Sequence, residues 1–135
     1  MSEPMRAGSA HRPVRPLVGL LADVAAVLVF AAIGRASHDE ASPIVGALQT
    51  AWPFLAGTVV GWAVVRGLRR SWPLEVGPGI TVWFATLVFG MLLRRVTGEG
   101  TALPFVIVAA LVLAAFLLGW RALVAWRSRR VATTM

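Results

Sequence analysis

The chain has 135 residues, of which 58% are hydrophobic and only 14% are charged, whereas about a quarter of the residues in an average soluble domain are charged. It has no cysteine, which excludes disulfides and thiolate metal sites, and its two histidines, His11 and His38, are too few and too far apart for a protein-only zinc site. A net charge of +7 would suggest a nucleic-acid partner if the protein were soluble.

Four long apolar segments account for most of the chain. A helix rises about 1.5 Å per residue, so about 20 apolar residues cross the roughly 30 Å hydrocarbon core of a bilayer. The sequence therefore predicts an all-α integral membrane protein folded as a four-transmembrane-helix bundle. The predicted spans are 16–34, 44–65, 79–93 and 102–124. They form a membrane domain at 16–126, between a mobile cytoplasmic tail at 1–15 and a second cytoplasmic tail at 127–135.

The first span carries a carboxylate, Asp23, about two turns inside its start. An ionised carboxylate at such a depth costs on the order of 2.5–3.5 kcal/mol, so Asp23 should face the bundle and find a partner. The apolar region is longer than that of a signal peptide, and Arg35 stands where a cleavage motif needs small residues. We therefore interpret the segment as a retained span.

The second span has two possible starts and contains a small-residue motif. Either its helix begins near Ile44 and kinks at Pro53, or 44–51 is a partly ordered outer segment and the helix begins later; we favour the second. Gly57 and Gly61 form a GxxxG motif, which permits close approach of another helix. We expect this motif to pack the bundle internally, and a homodimer seam is the alternative.

Depth counting places several polar side chains at one level of the membrane. We predict a polar layer in the bundle, made of Asp23, Thr58 and Thr86 and closed by Arg121, whose long stem can reach down from the end of the fourth span. One interpretation is a proton or ion relay or a substrate contact. The other is a buried pair that fixes helix order, and we favour it because there is no second carboxylate or histidine inside the membrane.

A charged rim is predicted at the outer ends of spans one and three, with Arg35, His38 and Arg94 as its candidate residues. The arginines end their helices, where a cation meets the negative end of the helix dipole. The alternative is an anion-attracting rim, because arginine binds carboxylate and phosphate through two parallel hydrogen bonds.

The distribution of arginine predicts the orientation. Ten arginines fall on one side of the predicted membrane, namely Arg6, Arg12, Arg15, Arg66, Arg69, Arg70, Arg121, Arg127, Arg129 and Arg130, and three on the other, namely Arg35, Arg94 and Arg95. Cytoplasmic flanks are enriched in arginine, so both termini should be cytoplasmic in a multi-pass protein of the cytoplasmic membrane. Four tryptophans are expected at the inner interface, namely Trp62, Trp72, Trp120 and Trp126. Because topology explains the arginines, we expect no nucleic-acid partner.

The two halves of the sequence share several short patterns in the same order. Leu28-Val29-Phe30 and Arg35 match Leu87-Val88-Phe89 and Arg94, Thr50-Ala51-Trp52-Pro53-Phe54 matches Thr101-Ala102-Leu103-Pro104-Phe105, and Gly61-Trp62 matches Gly119-Trp120. Chance recurrence of common membrane residues is the alternative. A true repeat predicts two helical hairpins related by a pseudo-twofold axis along the membrane normal.

Across about residues 17–122 the chain resembles a family of small prokaryotic four-span proteins known as domain of unknown function 3054. The resemblance is carried by Asp23, Gly34-Arg35-Ala36-Ser37-His38, Trp52-Pro53-Phe54, Gly90-Met91-Leu92-Leu93-Arg94 and Gly119-Trp120-Arg121. It implies the four-span fold and draws attention to Asp23, Arg35, Arg94 and Arg121. The family has no assigned activity, so the resemblance implies no mechanism.

No catalytic motif is recognisable, and neither a catalytic site nor a cofactor is expected. We expect a non-enzymatic membrane protein that acts as an accessory, scaffold or assembly subunit, surrounded by lipid and associated with a second copy or a larger membrane complex. The alternative is a small transporter or channel that uses Asp23 in the bundle and Arg35 and Arg94 at the outer rim.

Overall fold

The structure is a computed structural model that describes residues 15–35 and 42–134, and the regular elements in these ranges are all helices. Each is long and apolar enough to cross a membrane, as in a multi-pass membrane protein. The helices are α1 (Pro16–Arg35), α2 (Pro43–Arg69), α3 (Val76–Val96) and α4 (Leu103–Thr133). The predicted N-terminal tail lies almost entirely outside the described residues.

The helices form an antiparallel ring in which α1 and α3 each contact α2 and α4. One end, here called the terminal end, holds the start of α1, the α2–α3 connection and the end of α4. The opposite, far end holds the other two connections. Helices α2 and α3 pack most closely, and α1 and α4 least closely. A strict pseudo-twofold axis would relate these two interfaces and make them equal. They are unequal, so the packing gives the predicted repeat no support, and the repeat stays a prediction.

The close packing of α2 on α3 depends on two glycines of α2. A Cβ atom added to Gly57 would lie 2.9 Å from the Cα of Thr86, and one added to Gly61 would lie 2.9 Å from the Cα of Val82. Real Cβ atoms do not approach other atoms so closely. The GxxxG face is therefore occupied by α3 of the same chain, not by a second copy.

Helix α2 begins earlier than we favoured. It runs from Pro43 without interruption through Pro53, so the interpretation of 44–51 as a partly ordered segment is wrong. Proline is well suited to the first turn of a helix, where its missing N–H has no partner. Two turns then precede Pro53, and they are held in place because Gly46 and Thr50 are buried in the bundle.

Helix α4 is longer than predicted, and only a narrow line of it is buried. It continues past residue 124 to Thr133, because alanine and arginine favour helix and no breaker intervenes. Its buried residues recur every fourth position, namely Ala109, Leu113, Leu117 and Arg121. This spacing keeps one ridge of α4 against the bundle and leaves most of the helix surface uncovered.

The core is small, and large apolar side chains cover the outside. Eight buried residues form the main cluster, namely Val27, Phe30, Ala31, Ala51, Phe54, Ala109, Leu113 and Leu117. Exposed leucine, isoleucine, valine, phenylalanine and tryptophan side chains occur on all four helices. Such a surface suits a hydrocarbon solvent, because lipid tails are as apolar as leucine.

Candidate functional site

Asp23 of α1 and Arg121 of α4 form a buried ion pair near the terminal end. The guanidinium donates two parallel hydrogen bonds to the carboxylate, from Nη1 to Oδ1 at 2.8 Å and from Nη2 to Oδ2 at 2.7 Å. Both side chains are fully enclosed, with 0% exposure. The fork of arginine matches the carboxylate in this geometry, which is the strongest form of such a pair.

Two tryptophans complete the coordination of the Asp23 carboxylate. The indole Nε1–H of Trp62 donates to Oδ2 and that of Trp120 donates to Oδ1, each at 2.8 Å. Each carboxylate oxygen therefore accepts two hydrogen bonds, one from the guanidinium and one from an indole. Because a carboxylate has about four acceptor positions, Asp23 is saturated.

Arg121 is saturated as well. Its Nε and Nη2 donate to the carbonyl oxygen of Pro73 at 3.0 and 2.8 Å, and its Nη1 donates to that of Leu117 at 2.6 Å. With the two bonds to Asp23, these contacts use all five N–H donors of the guanidinium. Pro73 lies in the α2–α3 connection, so Arg121 joins that connection to α1 and α4.

Glycines provide the space for this cluster. A Cβ atom on Gly79 of α3 would lie 2.5 Å from Cδ of Arg121, and one on Gly19 of α1 would lie 2.5 Å from Cδ2 of Leu74. Because these glycines have no side chain, the stem of Arg121 packs directly on α3 and the α2–α3 connection packs directly on α1. The cluster thus draws on all four helices, although α3 supplies only space.

The predicted polar layer is divided into two pairs. The hydroxyl oxygens of Thr58 and Thr86 lie 2.9 Å apart, and each also lies within hydrogen-bonding distance of a carbonyl one turn earlier, that of Phe54 or of Val82. No hydrogen bond in residues 15–35 and 42–134 joins these threonines to Asp23 or Arg121. The threonines bridge α2 to α3, and the ion pair bridges α1 to α4.

Tightly packed apolar residues separate the ion pair from the far end. Val27, Ala109, Leu113 and Leu117 are all 0% exposed. Beyond them, the rings of Phe30, Phe54 and Phe105 contact one another, with centroids 5.2–6.4 Å apart. This packing leaves Asp23 and Arg121 without contact to water from that side.

The far end holds the two arginines of the predicted rim on either side of a cavity of about 620 Å³. Arg35 donates from Nε to the hydroxyl of Thr50 at 2.7 Å. Arg94 donates from Nε and Nη2 to the carbonyl of Gly100 at 3.2 and 3.0 Å, and it lies 4.0 Å from the Glu99 carboxylate. The third predicted rim residue, His38, lies outside the described residues.

Four partners of the ion pair could not be named from the sequence, namely the indoles of Trp62 and Trp120 and the carbonyls of Pro73 and Leu117. The positions of Trp62 and Trp120 predict contacts with the membrane interface, whereas the structure turns both indoles toward Asp23. Both tryptophans occur in a Gly-Trp pattern that is found in each half of the sequence, which was a usable signal. The carbonyl partners have no such signal in the sequence, because every residue has a carbonyl group. Within the described part of the chain, no three histidine or acidic side chains come together to hold a metal ion.

The fold and the site define a class of protein: a four-helix membrane bundle whose helices are joined near one end by a buried, hydrogen-bonded ion pair. Residues 20–124 match DUF3054, a family described as "protein of unknown function", and because the match covers most of the chain, the protein belongs to that family. No curated protein and no solved structure matches the chain significantly.

Proposed function

We propose that this protein is a non-enzymatic accessory, scaffold or assembly subunit of the cytoplasmic membrane, with the terminal end in the cytoplasm. The observation that supports this role is the saturation of the Asp23–Arg121 cluster. A relay or transport site must exchange partners during each cycle, whereas every donor and acceptor of this pair is already occupied by protein. The cluster therefore serves to hold the bundle together.

The transporter alternative has less support from the geometry. Its predicted path runs from Asp23 to the rim formed by Arg35 and Arg94. From Phe105 to Arg121 this path would follow about 24 Å of α4 at about 1.5 Å per residue. The intervening residues Ala109, Leu113 and Leu117 are completely buried in apolar packing. Moving an ion through them would require the α1–α4 interface to open.

Helix α4 is the surface most suited to a partner. Only one ridge of it is buried, and Leu111, on another side, is 67% exposed. In a subunit, this uncovered surface would contact another membrane protein or a second copy of this chain.

Flux measurements separate the two functions. We expect liposomes that contain the wild-type protein to pass no more protons or chloride than protein-free liposomes. The Asp23→Asn variant should be less stable and equally inactive. Flux by the wild type that is lost in a folded Asp23→Asn variant would support a transporter and exclude the role proposed here.

Site-specific photocrosslinking in native membranes tests the subunit role directly. A photoreactive amino acid at Leu111 should give one discrete protein adduct. The matched control is Leu113, two residues away and 0% exposed, which should react only within the chain. If Leu111 yields only lipid adducts, α4 faces bulk lipid and the protein is not held in an assembly through this surface.

A further inference from the structure

The cavity at the far end has the size and lining of a ligand site. Its volume of about 620 Å³ lies within the range of about 300–1,000 Å³ that is typical of small-molecule sites. Among the described residues, two guanidinium groups and one carboxylate line it, and the charge of these groups sums to +1. The remaining wall is mostly apolar and includes Phe30, Ile33, Phe105 and Val108.

Arg94 is positioned rigidly and still has donors to offer. The tight turn after α3 contains Gly98 with φ of 80°, a conformation that glycine adopts without strain, and it brings the carbonyl of Gly100 to the guanidinium. The Phe105 ring stacks under the same group, 4.4 Å from Cζ. Within residues 15–35 and 42–134, Arg94 donates side-chain hydrogen bonds only from Nε and Nη2, and both go to the carbonyl of Gly100. Three of its five N–H groups thus have no hydrogen-bond acceptor in the described part of the chain, whereas Arg121 uses all five.

The cavity opens sideways, between α1 and α4. Ile33 on α1 and Val108 on α4 both line it, and both are also more than half exposed on the lipid-facing surface. These two helices are the least closely packed neighbours in the ring. A molecule dissolved in the bilayer can therefore reach the arginines without passing through water.

A second, apolar groove lies along the same seam, nearer the terminal end. Apolar residues of α1 and α4 line it, namely Ala22, Ala25, Ala26, Val29, Ala115, Phe116 and Trp120. From Ile33 to Ala22 the seam extends about 16 Å at about 1.5 Å per residue. This length is about half of the roughly 30 Å hydrocarbon core, which is the depth of one leaflet.

We propose that the far-end cavity and the α1–α4 seam bind one anionic bilayer lipid. Its charged head lies between Arg35 and Arg94, which recognise phosphate or carboxylate oxygens, and an acyl chain lies in the seam. The site combines two cationic groups at the far end with an apolar seam as long as one leaflet is deep. A lipid can occupy both parts, whereas a soluble anion has no chain for the seam. A neutral lipid offers no anionic acceptor to Arg94, and a zwitterionic lipid brings a cation next to the two arginines. Both should therefore bind more weakly than an anionic lipid.

The test compares two lipids that differ in net charge. The purified full-length chain in dodecyl maltoside micelles is mixed with dioleoylphosphatidylglycerol or dioleoylphosphatidylcholine, and bound lipid is counted by mass spectrometry of the intact complex. We expect one phosphatidylglycerol per chain, bound about tenfold more tightly than phosphatidylcholine. Both lipids offer a phosphate to the arginines, but phosphatidylcholine also brings a choline cation, which the two guanidinium groups repel. A tenfold difference corresponds to about 1.4 kcal/mol. Equal binding of the two lipids would overturn the proposal.

Neighbouring arginines provide a matched control. Arg94→Gln should abolish the preference for phosphatidylglycerol, whereas Arg95→Gln, with the same loss of charge at an exposed position outside the cavity, should keep it. Glu99→Gln should strengthen binding, because Glu99 is the only carboxylate among the described residues that line the cavity. An equal loss in the two arginine variants would show nonspecific surface attraction and contradict the proposal.

Two further measurements keep the proposal testable. The first uses a second variant in case Arg94→Gln does not fold, and the second asks whether a soluble anion competes for the site. Val108→Trp fills the mouth of the seam from a lipid-facing position, and it should lower phosphatidylglycerol binding at least as much as the loss of the arginine. Inorganic phosphate should not displace the bound lipid, because it lacks a chain for the groove. Normal binding by Val108→Trp, or displacement by phosphate, would exclude the α1–α4 seam as a lipid site.

Discussion

Neither Asp23 nor Arg121 can be removed alone without leaving the other charge buried and unpaired. Taking two charges out of water costs several kcal/mol for each ion, and the attraction between them offsets this cost only when the remaining donors and acceptors are also satisfied. Here they are, through Trp62, Trp120 and the carbonyl of Pro73. The pair therefore contributes less to net stability than to specificity: it disfavours any arrangement in which α1 and α4 are not adjacent.

A double-mutant comparison of the ion pair tests this argument. Asp23→Asn or Arg121→Gln alone leaves an unpaired buried charge, and each should lower the free energy of unfolding by about 3–5 kcal/mol. The double variant leaves no net charge and should be more stable than either single variant. Unfolding followed by circular dichroism in mixed micelles measures all three. Additive losses would mean that the two charges do not interact.

The indole donors should matter because their acceptor is charged. Trp62→Phe and Trp120→Phe each remove one hydrogen bond to a carboxylate, and each should cost about 1.5 kcal/mol or more. Trp83→Phe is the matched control, because Trp83 donates to a neutral acceptor, the carbonyl of Ala110, at 3.0 Å. A hydrogen bond of that kind averages about 0.6 kcal/mol between membrane helices. Equal losses at the three positions, measured by the same unfolding assay, would contradict a special role for Asp23.

At the level of the helices, α2 and α3 form the most closely packed interface of the bundle, because two glycines of α2 lie against the backbone of α3. Gly57→Ala and Gly61→Ala would place a methyl group against the backbone of α3, so we expect the helices to separate and the protein to lose about 1–3 kcal/mol in stability. Gly119→Ala is the control, because nothing lies within 4 Å of its added Cβ. That change should stabilise α4 by up to about 1 kcal/mol, since alanine favours helix more than glycine. Destabilisation by Gly119→Ala would indicate a contact with a partner at this surface.

The four helices and their polar side chains show which features of the structure can be predicted from the sequence. The four helices could be predicted because runs of apolar residues are long enough to cross a bilayer, and depth counting brought Arg121 to the level of Asp23. Depth gives no rotation about the helix axis, so the separation of Thr58 and Thr86 from the ion pair could not be foreseen. A helix that begins near Ile44 and continues through Pro53 was one of two alternatives, and it was not the favoured one. Local sequence alone does not show that Thr50 is buried in the bundle, which holds this part of α2 in place.

At the scale of the whole molecule, the bundle is tight on one side and loose on the other. Glycines bring α2 and α3 into backbone contact, whereas α1 and α4 are held mainly through side chains, with Asp23 and Arg121 near one end. If the chain arose from two hairpins, the two equivalent interfaces have therefore diverged in packing. The loose side is also the side that carries the far-end cavity and the seam, so the asymmetry places the proposed lipid between the two helices joined by the ion pair.

Orientation is the molecular property that the arginine distribution predicts most directly, and the absence of cysteine makes it easy to test. Ser42 lies at the far end and Thr134 at the terminal end, and both are exposed. With the terminal end in the cytoplasm, a membrane-impermeant maleimide should label Ser42→Cys in intact spheroplasts and Thr134→Cys only after lysis. The physical reason is that arginine-rich flanks are retained on the cytoplasmic side during insertion. Labelling of Thr134→Cys in intact spheroplasts would reverse the topology and move the proposed lipid site to the inner leaflet.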